Sequence, residues 1–184
     1  MSNIVREQFK VQMASFNVRD AFEEIISMYK MSAELKGINL ECHISDDVPQ
    51  ELIQDKLRIQ QVVSNLINNS LKYSDNDTEV NVRCRFYPRS SKLHIQVLDN
   101  GIGIAEKDSE LIFKPYTTLP EAQKFTYVGA GLGLYTCKTL CKQLNSSIRL
   151  MKASEIDPLI GKTGFYVKIR ATFDSVEEMK YQFK

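Results

Sequence analysis

The chain has 184 residues, 43% hydrophobic and 26% charged, with a formal net charge of +1: one domain's worth of sequence, with apolar content for its own core and little room for a second. The near balance of charge supplies no broad basic field, so nucleic acid is not an indicated partner. No apolar run reaches bilayer length and the first ten residues lack the apolar core of a secretory signal, so a soluble, cytoplasmic segment is expected.

Residues 9 to 16 partly alternate and predict an edge strand or a linker packed on the domain. Asn17 with Asp20 then reads as a helix start, followed by Phe22, Ile25, Ile26, Tyr29 and Leu35 at helical spacing and Gly37 as a stop. Ile38, Leu40, Cys42 and Ile44 alternate as a strand, and Ser45 to Gln54, with two aspartates and a proline, reads as a loop. The second helix is the stretch DKLRIQQVVSNLINNSLKYS from Asp55 to Ser74.

Val80, Val82, Cys84 and Phe86 share one face of a strand, Leu93, Ile95 and Val97 do the same in the next, and Pro88-Arg89-Ser90-Ser91 between them predicts a hairpin. Ala105 to Ala130 shows little periodicity beyond a short helical turn near Leu111, and a stretch of that length in a compact domain points to a functional loop. Leu132 to Leu144 is the third helix, with Ser147 to Lys152 and Gly164 to Phe173 as closing strands. Three helices and about five strands indicate an α/β (α+β) two-layer sandwich. The four cysteines form no CxxC pair and are expected to be reduced, buried thiols; Cys137 and Cys141 lie one helical turn apart, too few donors for a metal site.

The second helix carries the chemistry. At about 100° per residue, Arg58, Asn65, Asn69 and Lys72 share one narrow stripe beside a broad one of Ile59, Val62, Val63, Leu66 and Ile67. A carboxamide oxygen can join a magnesium shell, and a lysine one turn later can meet a phosphate as a point charge. Downstream, Leu98-Asp99-Asn100-Gly101-Ile102-Gly103-Ile104 follows an alternating run, where Asp99 is either a turn former or a buried acceptor. Tyr127-Val128-Gly129-Ala130-Gly131-Leu132-Gly133-Leu134 opens the third helix, so its amides and the helix N-terminus can cradle a polyphosphate.

These motifs, in this order, resemble the GHKL (Bergerat-fold) ATPase superfamily, and most of all the ATP-binding catalytic domain of sensor histidine kinases. The asparagine helix is similar to that family's N box, Asp99 to Gly103 to its first glycine box, Ile112-Phe113-Lys114-Pro115-Tyr116 to its F box, and Gly129 to Tyr135 to its second glycine box. The likeness covers roughly residues 9 to 173. It implies a mixed sheet of about five strands with three main helices on one face, and a nucleotide held between helices and a lid, here Thr117 to Val128. Phe113 and Tyr116 would anchor the start of that lid by packing, with Gly129 and Gly131 as hinges.

The resemblance further implies the cofactors ATP and Mg2+ and a role for each matching residue. Asp99 accepts the adenine amino group, Gly101 and Gly103 let the backbone approach the base, and Asn69 is the magnesium ligand. Lys72 neutralises phosphate charge, while Tyr73 lies against adenine or ribose or else packs in the core. Gly129, Gly131, Leu132, Gly133 and Leu134 hold the polyphosphate. Asn65 stands where hydrolytic branches carry a general-base glutamate; an amide has no useful basicity, so unaided hydrolysis is expected to be slow and Asn65 to order the metal shell or the phosphoacceptor. Asp55 with Arg58 reads as a helix-start pair, and His43 and His94, in alternating strands, as structural.

No histidine here sits in an acceptor-like helix. The resemblance therefore implies a partner element, a histidine-containing dimerisation domain outside this chain, and through it a response-regulator receiver domain; the isolated chain is expected to be monomeric. Residues 1 to 16 would connect to that element, 17 to 173 form the catalytic domain, and 174 to 184 a tail. Other readings stay open: a GHKL ATPase of another branch, a mitochondrial-type serine kinase relative, or a degenerate nucleotide-binding scaffold, for which Ser70 stands where relatives often have alanine.

Overall fold

The computed structural model describes residues 10–124 and 129–172. The expected tail, the first nine residues, and Phe125 to Val128 of the expected lid lie outside the described residues. Three helices, α1 (Val18–Glu34), α2 (Lys56–Tyr73) and α3 (Gly133–Gln143), alternate with seven strands: β1 (Ala14–Asn17), β2 (Asn39–Ile44), β3 (Glu51–Gln54), β4 (Glu79–Tyr87), β5 (Lys92–Asp99), β6 (Ser147–Leu150) and β7 (Thr163–Arg170). Five strands form a mixed sheet in the order β2-β4-β5-β7-β6, in which only β2 and β4 are parallel. All three helices cover one face of it, α1 against β2, α2 against β5 and β4, and α3 against β6.

Alternation explains that arrangement. Val80, Val82, Cys84 and Phe86 of β4, Leu93, Ile95 and Val97 of β5, and Phe165, Val167 and Ile169 of β7 are all buried toward the helices. Into them α2 presses Ile59, Val62, Val63, Leu66 and Ile67, the broad apolar stripe legible in its sequence. Its start is set by Asp55, whose side chain accepts from the Arg58 backbone N–H at 3.0 Å, as the helix-start reading requires. Asn17 caps α1 in the same way through the Asp20 N–H, whereas Leu35, counted with the apolar positions of that helix, stands past its end and is exposed.

The segment expected to be a loop through Gln54 contains a strand instead. β3 pairs antiparallel with β1, Ala14 facing Gln54 and Asn17 facing Glu51, and makes a small second sheet. Four residues carry too little periodicity to announce a strand, and the partner lies across the whole of α1. Leu52 and Gln54 point inward, and the Gln54 amide donates to the Arg170 carbonyl at 2.6 Å, pinning this sheet to the end of β7.

Candidate nucleotide site

The C-terminal end of α2 and the loop after β5 are stitched together. The Ile102 N–H donates to the Tyr73 carbonyl at 3.2 Å, and Ser74 bridges to Gly101. A Cβ at Gly101 would stand 2.7 Å from both the Tyr73 carbonyl oxygen and Asp99 Oδ1, so only glycine permits this approach. The glycine is required here by the protein's own packing. Gly103 differs: its φ of +80° demands glycine, while nothing lies within 4 Å of the place a Cβ would take.

Asp99 ends β5 as a buried acceptor and not as an exposed turn former. Its Oδ1 accepts the Gly101 N–H at 2.9 Å and its Oδ2 the Ser70 hydroxyl at 2.8 Å, and Thr163, directly opposite on β7, adds a third donor. Burial pushes its pKa up, against the downward pull of those three hydrogen bonds. Beside it a cavity of about 90 Å³ is walled by Ile104, Ile112, Leu134 and Phe165 and covered by Leu119 and Ala122. An apolar slot with a carboxylate at its polar edge suits a flat heteroaromatic base with an exocyclic amine.

Asn69 and Tyr73 also line this cavity, from one side of α2. Lys72 points toward the second glycine turn, where a Cβ at Gly129 would lie 3.3 Å from its Nζ, and Asn69 faces that turn too, its amide 3.8 Å from the Cβ position of Gly133. The ammonium also rests 4.9 Å from the centre of the Tyr73 ring. α3 starts at Gly133 with Leu132 as N-cap and no side chain capping it, so its first amides remain available to an anion. The two glycine motifs, Asn69 and Lys72 thus converge on one end of the molecule.

Asn65, like Lys72, does not line the base cavity, and its side chain reaches the Cys137 thiol where α3 packs on α2. The expected lid anchor holds for one aromatic only. Phe113 is buried edge-on against Phe165, with ring centres 6.4 Å apart, but Tyr116 is 76% exposed because its φ of +59° turns the side chain outward. Gly131 secures that point in place of Tyr116: at φ +69°, a Cβ there would stand 2.7 Å from the Thr117 backbone. The described part of the expected lid contains a short 3-10 helix, Pro120–Lys124.

His43 and His94 stand away from the cavity. His43 pairs with Glu41 at 2.9 Å on the sheet edge, and His94 shares a hydrogen bond with Tyr166 on the open face. Sequence reading missed Thr163 and saw Ser70 only as a departure from relatives. Ser70 had a usable signal, a hydroxyl on the buried side of the helix that calls for a partner; Thr163 had none, because only the β5–β7 register brings it to Asp99.

Comparison with known proteins places this geometry. The profile of the family described as histidine kinase-, DNA gyrase B- and HSP90-like ATPases matches residues 54–174. The sensor histidine kinase RcsC of Salmonella typhimurium is 34% identical over 148 residues, 80% of this chain and 15% of that protein. The autoinducer 2 sensor kinase/phosphatase LuxQ of Vibrio vulnificus is 31% identical over 182 residues, 97% of this chain and 21% of its own length. The chain thus spans between 15% and 21% of these relatives. Among solved structures, full-length ShkA in complex with AMPPNP superposes with a TM-score of 0.75 at 18% identity, over 89% of this chain and 32% of ShkA. The catalytic domain of histidine kinase ThkA gives 0.71 at 22% identity, over 86% of this chain and 95% of that domain. With two thirds of its length inside the profile and the asparagine helix, Asp99 loop and glycine turn gathered at one end, the chain belongs to the family of histidine kinase-, DNA gyrase B- and HSP90-like ATPases.

Proposed function

We propose that this domain binds Mg-ATP with the adenine beside Asp99 and the triphosphate across Lys72 and the amides at the start of α3, and presents the γ-phosphoryl group to a histidine on a separate dimerisation element. The observation that carries this is the convergence of Asn69 and Lys72 with Gly129 and Gly133 on one side of the Asp99 cavity. In the transfer, an imidazole nitrogen forms a bond to the γ-phosphorus as the bond to the ADP oxygen breaks, and the phosphoryl group then passes to a receiver domain. ThkA has been solved in complex with the response regulator TrrA, a precedent for such a partner.

The donor set fits magnesium that arrives with the nucleotide. Asn69 offers one neutral oxygen beside the phosphate-facing turn, and among the described residues no group of three acidic, histidine or cysteine side chains could hold an ion alone. Bound there, the ion neutralises triphosphate charge. The chain's own residues do the rest: Asp99 and the apolar slot orient the base, Lys72 attracts the phosphates, and the α3 amides hold them in place. Asn65, an amide held against Cys137, offers no base to activate water, which favours transfer to an imidazole over hydrolysis.

The test is calorimetric titration of ATP and GTP, each with magnesium, into the wild type and Asp99→Asn, followed by addition of a purified dimerisation domain with labelled ATP. ATP should saturate the wild type, GTP should not, and label should appear only on the added domain. Failure of the folded wild type to bind ATP would favour the scaffold reading.

A further inference from the structure

The face of the five-stranded sheet turned away from the helices is used by nothing described above. Its side chains run in rows across the strands. One row is His43, Arg83, Gln96, Tyr166 and Arg149; the next is Arg85, His94, Lys168 and Ser147; the third is Tyr87, Lys92 and Arg170. These rows contain six formal cations and no carboxylate, in a chain whose totals are 24 and 23. Of the six, Arg149 is matched by Glu155 at 2.7 Å, while Arg83, Arg85, Lys92, Lys168 and Arg170 have no salt bridge among the described residues.

Aromatic rings run through the cations. Tyr87 and His94 have ring centres 4.1 Å apart, His94 and Tyr166 5.2 Å, and Lys168 and Arg149 lie over Tyr166 at 5.5 and 4.8 Å. One end of the face is closed by a small apolar cluster of Leu98, Met151 and Ile156. The other opens into a groove of about 1170 Å³ that reaches round the β2 edge to α1. Among the described residues, four formal cations, Arg19, Lys30, Arg83 and Arg85, line it against the single carboxylate of Glu23.

We infer that this groove and open face dock an extended acidic segment of a protein, its carboxylates on Arg83 and Arg85 and its apolar side chains on the Tyr87–His94–Tyr166 strip. Charge complementarity selects the partner's sign, and guanidinium groups hold carboxylates in paired geometry. The groove exceeds the roughly 300–1,000 Å³ of small-molecule sites, which favours a peptide. A nucleic acid fits less well: Glu41 and Glu79 border the basic rows at one margin and Glu155 at the other, where a continuing phosphate backbone would be repelled.

The test titrates isotope-labelled protein with a short Glu-rich peptide carrying one central tyrosine, with its glutamine counterpart, and with a uridine oligonucleotide of similar length. The expected result is saturable binding of the Glu peptide alone, resonance shifts at Arg83, Arg85, His94 and Tyr166, and affinity weakened by about tenfold or more in Arg83→Glu/Arg85→Glu. ATP affinity, measured on the same double variant, should be unchanged, which separates this docking face from the nucleotide site and shows that the fold survives. No saturable binding, shifts confined to other surfaces, equal binding of the glutamine peptide, or tighter binding of the oligonucleotide would each overturn it, the last assigning the face to nucleic acid.

Discussion

Ser70 Oγ lies 2.8 Å from Asp99 Oδ2, and both residues are sealed from solvent. The hydroxyl is one of three donors that hold the carboxylate in a single orientation. Ser70→Ala should therefore weaken ATP binding by about 1 kcal/mol, roughly fivefold, while Gly101 and Thr163 keep the side chain in place. Calorimetry at several pH values checks this. Because the lost donor favoured the charged form, the pH at which ATP affinity changes should move upward; an unchanged profile would reduce Ser70 to packing.

Asp99 also makes stability depend on pH, with a sign opposite to that of an ordinary salt-bridged carboxylate. Its folded pKa is raised by burial, so between the unfolded and folded values the native state holds a proton that the unfolded state has released. Its contribution to stability is therefore most favourable below the unfolded value and declines as pH rises through that window. In urea unfolding, the wild type should gain on Asp99→Asn as pH is lowered from neutral toward the carboxylate range. A difference that stays constant with pH would show that Asp99 is not perturbed.

Asn69→Ala should separate metal from base recognition. The residue lines the cavity without belonging to the apolar core, so the fold should survive. Affinity for ATP with magnesium should fall by about tenfold or more, the scale of a lost polar contact to a charged group, while affinity for adenosine, which carries no phosphate, should not change. Equal losses for both ligands would place Asn69 against the base.

The contrast between Asn69 and Thr163 shows how far the sequence could be read. The core stripe of α2, the β4–β5 hairpin and the carboxylate-glycine turn are local patterns, and each appears where its periodicity put it. Interactions set by register or by a distant partner left no local trace: β3 needs β1 across α1, and Thr163 reaches Asp99 only through strand pairing. Tyr116 misled for a related reason. Its place in an aromatic motif suggested packing, but the left-handed backbone that brings Thr117 under Gly131 sends its ring into solvent.

The cysteines should be chemically silent in the native state. Burial raises Cys137 and Cys141 to about 12 and Cys42 to about 11, and also pushes Cys84 well above the ordinary thiol value. A shift of about two units leaves roughly a hundredfold less of the reactive thiolate at a given pH. Mildly alkaline iodoacetamide followed by mass spectrometry should thus find all four unmodified in the folded protein and alkylated in urea.

The first two glycines of the second glycine turn should respond differently to alanine. At Gly131 a Cβ meets fixed backbone at 2.7 Å and the φ of +69° disfavours any side chain, so the turn or Thr117 must move. At Gly129 the nearest atom is the mobile Lys72 ammonium at 3.3 Å. Gly131→Ala should cost about 1–3 kcal/mol of stability and weaken ATP binding through displacement of the loop above the base. Gly129→Ala should leave stability near that of the wild type and affect only ligands that carry phosphates, since its methyl group crowds Lys72 and not the base cavity. Urea unfolding, paired with ATP and adenosine titrations, distinguishes the two. If both variants lost adenosine equally, the glycine turn would be acting on the base slot as a unit, and the separation of phosphate and base regions argued from Lys72 and Asp99 would fail.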